Sequence, residues 1–233
     1  MITSIASSSS GNAHIVDNQV LLDCGVQLNA LRKHLGNLTK LSGCLVTHSH
    51  QDHCSAVEDL LEASVEVYMD QPTMDEMELD HYRLHTIEPI NEIYQIGEWR
   101  AKGFPLVHDS AGGIGFLLKG NRKKISYITD TERVEYSFKG LTHLLIESNY
   151  SWAIINRKVK EGEVARVRKN RTIANHLSLE DVKNFLSNID KSKLREIRLL
   201  HLSKENADRK EFKSEIEREF GIPVKVPKRV LDS

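Results

Sequence analysis

The stretch THSHQDH, residues 47–53, decides how this sequence is interpreted. It continues a short, mostly apolar segment at residues 43–47 (GCLVT), which predicts a strand that runs into the first histidine. His48 and His50 are two residues apart, so in an extended loop both imidazoles can point towards one ion. An aspartate and a third histidine follow and can reach a second ion beside it. Imidazole and carboxylate are ligands that suit zinc, manganese and iron, so the stretch predicts a metal site.

A polar surface loop with chance histidines is the alternative. The sequence has 11 histidines, yet four ligand-type side chains fall within residues 48–53. Dense clusters of this kind usually have a metal role, so the density favours the metal site over the surface loop.

The HxHxDH pattern after a short apolar strand resembles the signature of the metallo-β-lactamase superfamily. The other parts of that signature appear in order: Asp23 in LLDCG, His108 in FPLVHD, Asp130 in SYITDT and His201 in LLHLS. Each follows an apolar segment, where a rigid strand can present it. The resemblance covers nearly the whole chain. It implies an α/β (α+β) fold, a four-layer αββα sandwich with two mixed β-sheets flanked by helices.

The resemblance also implies two divalent metal ions, for which zinc, manganese and iron are all suitable. The implied ligands are His48, His50 and His108 on the first metal, Asp52, His53 and His201 on the second, and Asp130 bridging the two. Asp23 is implied to orient the metal loop from behind without binding metal.

Further stretches resemble a narrower branch, the bacterial YycJ/WalJ-type proteins: SSSSGN (7–12), LLDCG, ESNY (147–150), NHLSLEDV (175–182) and HLSKEN (201–206). Members of this branch are compact relatives of nucleases that lack an inserted cap domain. Some are described as 5′→3′ DNA exonucleases. The resemblance therefore implies a DNA exonuclease.

The hydrophobic pattern predicts short strands interleaved with helices. Predicted strands are 13–16, 19–22, 43–47, 65–69, 92–96, 98–107, 114–119, 124–129, 141–147, 197–200 and 223–226. Predicted helices are 29–35, 54–62 with Ser55 as N-cap, 178–189 and 205–220, with a polar helix or ordered loop at 73–82. The alternation favours a layered domain with mixed sheets, and one domain over residues 1–233 is the simpler prediction.

The bulk composition argues against a whole-molecule attraction to nucleic acid, a disulfide framework and a membrane span. Lys and Arg total 32 against 33 Asp and Glu in 233 residues, so only a local patch can attract nucleic acid. The three cysteines match no disulfide framework, and Cys24 and Cys54 are predicted to be small buried thiols. No stretch has the pattern of a signal peptide or a membrane span, which predicts a cytoplasmic protein without membrane contact.

Two adjacent metals lower the pKa of a shared water from about 15.7 towards 7, and the resulting hydroxide suits attack on a phosphodiester. Asp52 is hypothesised to accept a hydrogen bond from that nucleophile. His176 directly precedes the predicted 178–189 helix and is hypothesised to contact a substrate phosphate or to protonate the leaving oxygen. The alternative is that Ser178 simply caps the helix while His176 packs in a turn.

The substrate contacts are predicted on two segments. Ser8, Ser9 and Asn12 line the mouth of the site, unless SSSSGN is a flexible N-terminal turn. Residues 157–171 hold seven basic side chains against two acidic ones. Arg166, Arg168, Lys169 and Arg171 are predicted to contact a nucleic-acid backbone, and a solvated helix face is the alternative.

Three other functions remain open on the sequence. A phosphodiesterase for small cyclic nucleotides needs the same metals without a basic track. A thioesterase of the glyoxalase II type is disfavoured because nothing resembles its helical extension, and the complete ligand set disfavours a non-enzymatic metal-binding protein. The residues do not choose among metals, between DNA and RNA, or between directions of digestion. A homodimer is a guess from the small size.

Overall fold

The computed structural model of the chain describes residues 1–228. Two mixed β-sheets flanked by helices make up the fold, as predicted. The strands are β1 (Ile2–Ser8), β2 (Gly11–Val16), β3 (Val20–Leu22), β4 (Gly43–Leu45), β5 (Val67–Met69), β6 (Leu84–Thr86), β7 (Tyr94–Ile96), β8 (Trp99–Pro105), β9 (Ile114–Gly120), β10 (Lys123–Ile128), β11 (His143–Glu147), β12 (Glu196–Leu200) and β13 (Val224–Lys225).

The helices are α1 (Leu28–Leu35), α2 (Gln51–Cys54), α3 (Val57–Glu62), α4 (Gln71–Glu76), α5 (Trp152–Lys160), α6 (Arg166–Asn175), α7 (Leu179–Asn188) and α8 (Arg209–Phe220), with a 3-10 turn at Leu38–Lys40. Across residues 1–228, no helix is both long enough and apolar enough to cross a membrane.

The chain divides into two compact units. The first unit comprises Met1–Pro105, Ser110–Arg122 and the end of the described chain, and the second comprises Leu106–Asp109 and Lys123–Val226. The prediction of one domain without an inserted cap stays a prediction.

The six-stranded sheet has the order β1-β2-β3-β4-β5-β6. Its first three strands pair antiparallel and the rest parallel. The turn between β2 and β3 has positive φ at Asp17 (47°) and Asn18 (57°), the backbone of a tight hairpin turn, so the predicted strands at 13–16 and 19–22 form a hairpin. Leu31 of α1 and Leu60 of α3 are fully buried in a core that includes Val67 of this sheet.

The seven-stranded sheet has the order β13-β12-β11-β10-β9-β8-β7. Strands β10 to β13 pair parallel, whereas β7, β8 and β9 pair antiparallel. Helix α7 begins at a capping box in which Ser178 accepts from the backbone N–H of Asp181 and the Asp181 carboxylate accepts from that of Ser178. The predicted amphipathic helix at 178–189 is thereby confirmed.

The helix predicted at 54–62 is confirmed over Val57–Glu62, whereas its predicted start and its Ser55 N-cap are wrong. Helix α2 already includes part of the THSHQDH stretch, and Ser55 is its C-terminal cap residue. Helix α3 begins after Ala56. The backbone N–H of Ala56 donates to the carbonyl of Cys24 (3.1 Å) and therefore does not continue the hydrogen bonds of α2. This hydrogen bond to Cys24, two residues after the end of β3, therefore separates α2 from α3 where the local pattern predicts one helix.

Two strands were not predicted, β1 and β6. Strand β1 contains Ser4, Ser7 and Ser8, and its polar sequence lacks a strand's apolar run. Pairing with β2 supplies its backbone hydrogen bonds, and Ser4 Oγ lies 2.9 Å from His14 Nδ1 on that strand. The SSSSGN stretch therefore contains the end of β1, an exposed turn at residues 9–10 and the start of β2.

Candidate metal centre

The first unit brings the clustered histidines together. The ring centroids of His48 and His50 are 4.8 Å apart, and those of His48 and His53 are 4.2 Å apart. His48 and His53 are buried. Strand β4 delivers this stretch at its carboxyl end, beside the end of the parallel strand β3 that delivers Asp23. Parallel neighbours end at the same edge of a sheet, which is why these residues meet.

Asp23 contacts the metal loop from the side of the sheet. It is fully buried, and its backbone is left-handed (φ 54°). Its Oδ2 lies 2.7 Å from Nδ1 of His53, and its Oδ1 accepts the backbone N–H of Thr47 at 2.8 Å. A carboxylate on Nδ1 holds the ring in the tautomer whose Nε2 carries the ligand lone pair. The arrangement suits the supporting role that the resemblance implies.

Asn12 lies on the other side of this loop. Its side chain is buried, and its Nδ2 lies 3.0 Å from Nε2 of His53 and 3.2 Å from the backbone carbonyl of Asp52. Its Oδ1 accepts the backbone N–H of Ser8 (3.1 Å). Ser9 lies exposed at the turn that follows. These contacts tie Asn12 to the metal loop, and contact of either residue with substrate stays a prediction.

The second unit forms a cluster of its own. The nearest ligand atoms of Asp130, Glu147, His176 and His201 all lie within 4.8 Å of one another. Nδ1 of His201 is 3.1 Å from Oδ1 of Asp130. Strands β10, β11 and β12 are adjacent and parallel, and three of the four side chains stand at or just beyond their carboxyl ends. The sheet therefore gathers residues that are far apart in sequence.

Glu147 is the residue of this cluster that the sequence interpretation missed. It is fully buried, and its Oε1 accepts the backbone N–H groups of Thr131 (2.7 Å) and Leu177 (3.0 Å). Its Oε2 lies 3.0 Å from Nδ1 of His176. Its position at the end of an apolar strand, like that of Asp130, was a signal that could have found it.

Burial and neighbouring charge shift three pKa values here. Burial lowers the pKa of His108 below the ordinary imidazole value, although Asp130 opposes this shift. Burial also disfavours the charged form of His176, but the Glu147 carboxylate outweighs it and the His176 pKa is raised. Burial alone would raise the pKa of Glu147, and His176 reverses that shift and lowers it. His176 and Glu147 therefore form a pair that can hold a proton between them.

The first unit carries the candidate ligands His48, His50, Asp52 and His53. In the second unit, Asp130, Glu147, His176 and His201 form a group that could hold a metal ion, and His108 lies in the same unit. All are imidazole and carboxylate donors, the set that suits zinc, manganese or iron. Neutral imidazole is the form that binds metal, and the lowered pKa of His108 favours it. The residues present therefore fit divalent metal ions.

Helix α6 carries the predicted substrate-contacting basic residues and lies against segments next to two candidate ligands. Arg171 (3.4 Å) and Asn175 (2.9 Å) both donate to the carboxylate of Asp109, which directly follows His108. Arg168 pairs with Glu205 (3.0 Å), in the segment that follows His201. The helix is thus attached at two points within the second unit.

The other basic side chains of residues 157–171 have varied contacts. Lys169 Nζ lies 2.6 Å from Oδ1 of Asn156 and 5.8 Å from the ring centroid of the partly exposed Trp152. Arg157 pairs with Glu161 one helical turn away. Arg166 is exposed at the first position of α6. The segment is therefore partly neutralised by acids and partly open to solvent.

The fold and the donor set define a metal-dependent hydrolase class, and comparison with known proteins agrees. Residues 18–152, more than half of the chain, match the family described as "Beta-lactamase superfamily domain". The chain belongs to the β-lactamase superfamily and is one of its hydrolases.

Two relatives indicate which members of the superfamily this chain resembles. The chain is 27% identical over 220 residues to "Exodeoxyribonuclease YycJ" of Bacillus anthracis, covering 87% of this chain and 82% of that protein. It is 26% identical over 222 residues to "Exodeoxyribonuclease WalJ" of Streptococcus pneumoniae strain R6, covering 87% and 81%. Among solved structures, the metallo-β-lactamase fold protein YhfI of Bacillus subtilis superposes with a TM-score of 0.73 at 15% identity, covering 98% of this chain and 95% of that one. The predicted fold and YycJ/WalJ resemblance are confirmed.

Proposed function

We propose that this chain is a dinuclear-metal-dependent phosphodiesterase that acts as a 5′→3′ DNA exonuclease. The observation that carries the proposal is the attachment of the basic helix α6 beside candidate ligands, through Asp109 and Glu205. A phosphodiester backbone needs cationic contacts close to the reacting phosphate, whereas a small cyclic nucleotide does not. The names of the YycJ and WalJ relatives point the same way.

The proposed ligands follow the family pattern: His48, His50 and His108 on one metal, Asp52, His53 and His201 on the other, and Asp130 bridging both. Zinc, manganese or iron ions bound by these residues would supply a water activated at neutral pH and would offset phosphate charge. Asp23 holds His53 in the ligand tautomer, and Asn12 donates to the backbone carbonyl of Asp52 in the same loop.

Asp52 is proposed to orient the attacking water by accepting its hydrogen bond, in addition to its ligand role. An Asp52→Ala variant should lose activity. Metal content is measured on the same preparation, and a variant that keeps full activity and full metal content refutes this role.

His176 is proposed to deliver a proton from Nε2 to the leaving oxygen, while Glu147 holds Nδ1 and so aims the ring. Such a general acid is worth about 10²–10⁴-fold in rate. DNA has a basic alkoxide leaving group, whereas an aryl phosphodiester has a leaving group that departs unprotonated. His176→Ala should therefore slow DNA cleavage far more than cleavage of bis-p-nitrophenyl phosphate. Equal losses on both substrates would refute proton delivery.

The proposed substrate contacts are Ser9, Asn12, His176, Arg166, Arg168, Lys169 and Arg171. Trp152 adds an exposed indole beside Lys169, an arrangement on which single-stranded bases stack. We propose a reaction on DNA in the cytoplasm, in a chain that can form a homodimer.

The test of the function is cleavage of 5′- and 3′-labelled single- and double-stranded DNA and RNA with zinc or manganese. A His48→Ala/Asp130→Ala double variant serves as the metal-site control, and a cyclic-nucleotide panel runs beside it. Stepwise shortening from the 5′ end that the double variant loses supports the proposal. Turnover of cyclic nucleotides or thioesters without polynucleotide cleavage overturns it.

The role of α6 is tested by salt dependence. Arg166→Gln/Lys169→Gln should weaken polynucleotide cleavage, reduce the slope of log affinity against log salt, and leave bis-p-nitrophenyl phosphate turnover unchanged. The matched control is Arg157→Gln/Lys158→Gln in α5, where both side chains already pair with nearby glutamates. If both double variants behave alike, α6 has no special role.

A further inference from the structure

A pocket of about 270 Å³ lies in the second unit beside the proposed catalytic cluster. One wall is the irregular segment 132–137, and the other is one face of helix α7 together with Leu177, two residues before the helix, and Ile189, directly after it. The wall residue Leu177 directly follows His176, and Glu132 comes directly after Thr131. The backbone N–H groups of both Thr131 and Leu177 bind the same Glu147 oxygen. Both walls of the pocket are thus connected to the cluster through the Glu147 carboxylate, one through Leu177 and the other through the residue before Glu132.

The lining combines aromatic rings with side-chain amides. Tyr136 and Phe185 are half-buried and face the pocket, together with Asn184 and Asn188. Phe185, Asn184 and Asn188 recur at helical spacing, so they form one face of α7. A ring wall with an amide beside it suits a flat heterocycle, which needs stacking on its face and hydrogen bonds at its edge.

Charge decides which part of a nucleotide the pocket accepts. Its walls include Glu132, Glu135 and Asp181, against the single Arg133. Arg133 already pairs with Glu132 (3.1 Å) and Glu135 (2.7 Å). The surplus negative charge repels a phosphate, but it attracts the amino group of a neutral base because carboxylates accept its N–H groups.

The volume agrees with a single base. Pockets for drug-sized ligands measure about 300–1,000 Å³, so a cavity of about 270 Å³ suits one heterocycle rather than a complete dinucleotide. We propose that this pocket binds one nucleobase that carries an exocyclic amino group, on the nucleotide next to the scissile phosphate. The inference rests on the proposed nuclease function for the source of that base.

The experiment measures nucleoside binding to the full chain in EDTA by saturation-transfer NMR titration, so that neither metal nor phosphate contributes. Adenosine and cytidine should bind, and thymidine should bind more weakly. Phe185→Ala should weaken adenosine binding at least about fivefold, since stacking on one aromatic ring carries that much. Glu135→Gln, at an exposed position, removes one of the carboxylates to which the preference is attributed and should therefore reduce the preference for adenosine over thymidine.

The matched control is Phe220→Ala, another half-buried phenylalanine near the end of a helix in the same unit. It should leave adenosine binding unchanged. Absence of binding by all nucleosides, equal binding of adenosine and thymidine, or equal effects of the two phenylalanine variants overturns the base pocket even if DNA is cleaved. Phe185-dependent adenosine binding without polynucleotide cleavage keeps the pocket and overturns the nuclease function.

Discussion

At the scale of single residues, two buried carboxylates organise the proposed centre without belonging to the HxHxDH stretch. Asp23 is hydrogen-bonded to the His53 ring and accepts the backbone N–H of Thr47. Glu147 is hydrogen-bonded to the His176 ring and accepts two backbone N–H groups. Each accepts several hydrogen bonds, which is what allows a carboxylate to remain buried. Their effect is to fix the orientation of imidazole rings.

Removing the negative charge of Asp23 should weaken metal binding. In Asp23→Asn the His53 ring loses its anionic partner, and loss of such a partner typically lowers metal affinity by about 10–100-fold. Competition with a chromogenic chelator measures this affinity. Asp75→Asn, at an exposed position of α4, is the control and should bind metal like the parent chain. Equal metal affinities in the two variants would show that Asp23 does not support the metal centre.

The three cysteines should be unreactive in the folded protein. Cys24, Cys44 and Cys54 are buried, and burial raises the pKa of Cys24 and Cys54 above the ordinary thiol value. A raised pKa lowers the thiolate fraction, which is the reactive form. Ellman's reagent at pH 8 should therefore modify none of them within minutes, and all 3 after unfolding in guanidinium. Rapid modification of the native chain would contradict this burial.

At the scale of elements, adjacent parallel strands bring the candidate ligand residues together at their carboxyl ends. Strands β3 and β4 end beside each other in the first unit, as β10, β11 and β12 do in the second. In the first unit, the loops that follow these strands pack with their backbones in close contact. Gly25 packs so tightly on the metal loop that a Cβ atom would lie 1.8 Å from the carbonyl oxygen of Asp52.

Gly25→Ala should therefore disturb both stability and metal binding. The clash is with backbone, so the loop that carries Asp52 must move, at a cost of about 1–3 kcal/mol or more. Urea unfolding and chelator competition measure the two effects. In the control Gly162→Ala, nothing lies within 4 Å of the new Cβ and the strain comes from φ +75° alone. That control should lose some stability and no metal affinity, and an undisturbed metal affinity in Gly25→Ala would contradict the contact.

At the scale of the whole molecule, the net charge is close to zero, but the basic residues are unevenly distributed along the chain. Basic and acidic residues balance over the chain, but seven basic residues fall within 157–171. Arg168 and Arg171 pair with acids near candidate ligands, and Arg157 and Lys158 pair with glutamates of the same segment. Arg166 is exposed, so part of the segment is available to a polyanion. The proposed nucleic-acid contact at this local basic surface should therefore be sensitive to salt.

Metal should stabilise the molecule as a whole. A ligand that binds only the folded state at 100 times its Kd adds about 2.7 kcal/mol. Zinc or manganese added to chelator-treated protein should therefore raise Tm, as measured by differential scanning fluorimetry. His48→Ala/Asp130→Ala is the comparison and should show a much smaller rise. The same rise in both proteins would place the stabilising ions elsewhere.

Much of the fold and the candidate ligands could be predicted from local sequence. The β2–β3 hairpin follows from a turn at Asp17-Asn18, and α7 follows from its apolar periodicity behind Ser178. The HxHxDH stretch concentrates ligand-type side chains within a few residues. Such features are readable because their interactions join residues that are close along the chain.

Other features depend on tertiary contacts. The polar strand β1 is a strand because β2 pairs with it, and the helix predicted at 54–62 is divided because Cys24 captures the N–H of Ala56. The three partners of Glu147 come from distant segments, and so do the contacts of α6 with Asp109 and Glu205. No periodicity or spacing encodes these pairs. By itself the sequence determined the superfamily and the candidate ligands, and only the tertiary structure decided which buried carboxylates orient them, because long-range hydrogen bonds form only once the sheet has brought its strand ends together.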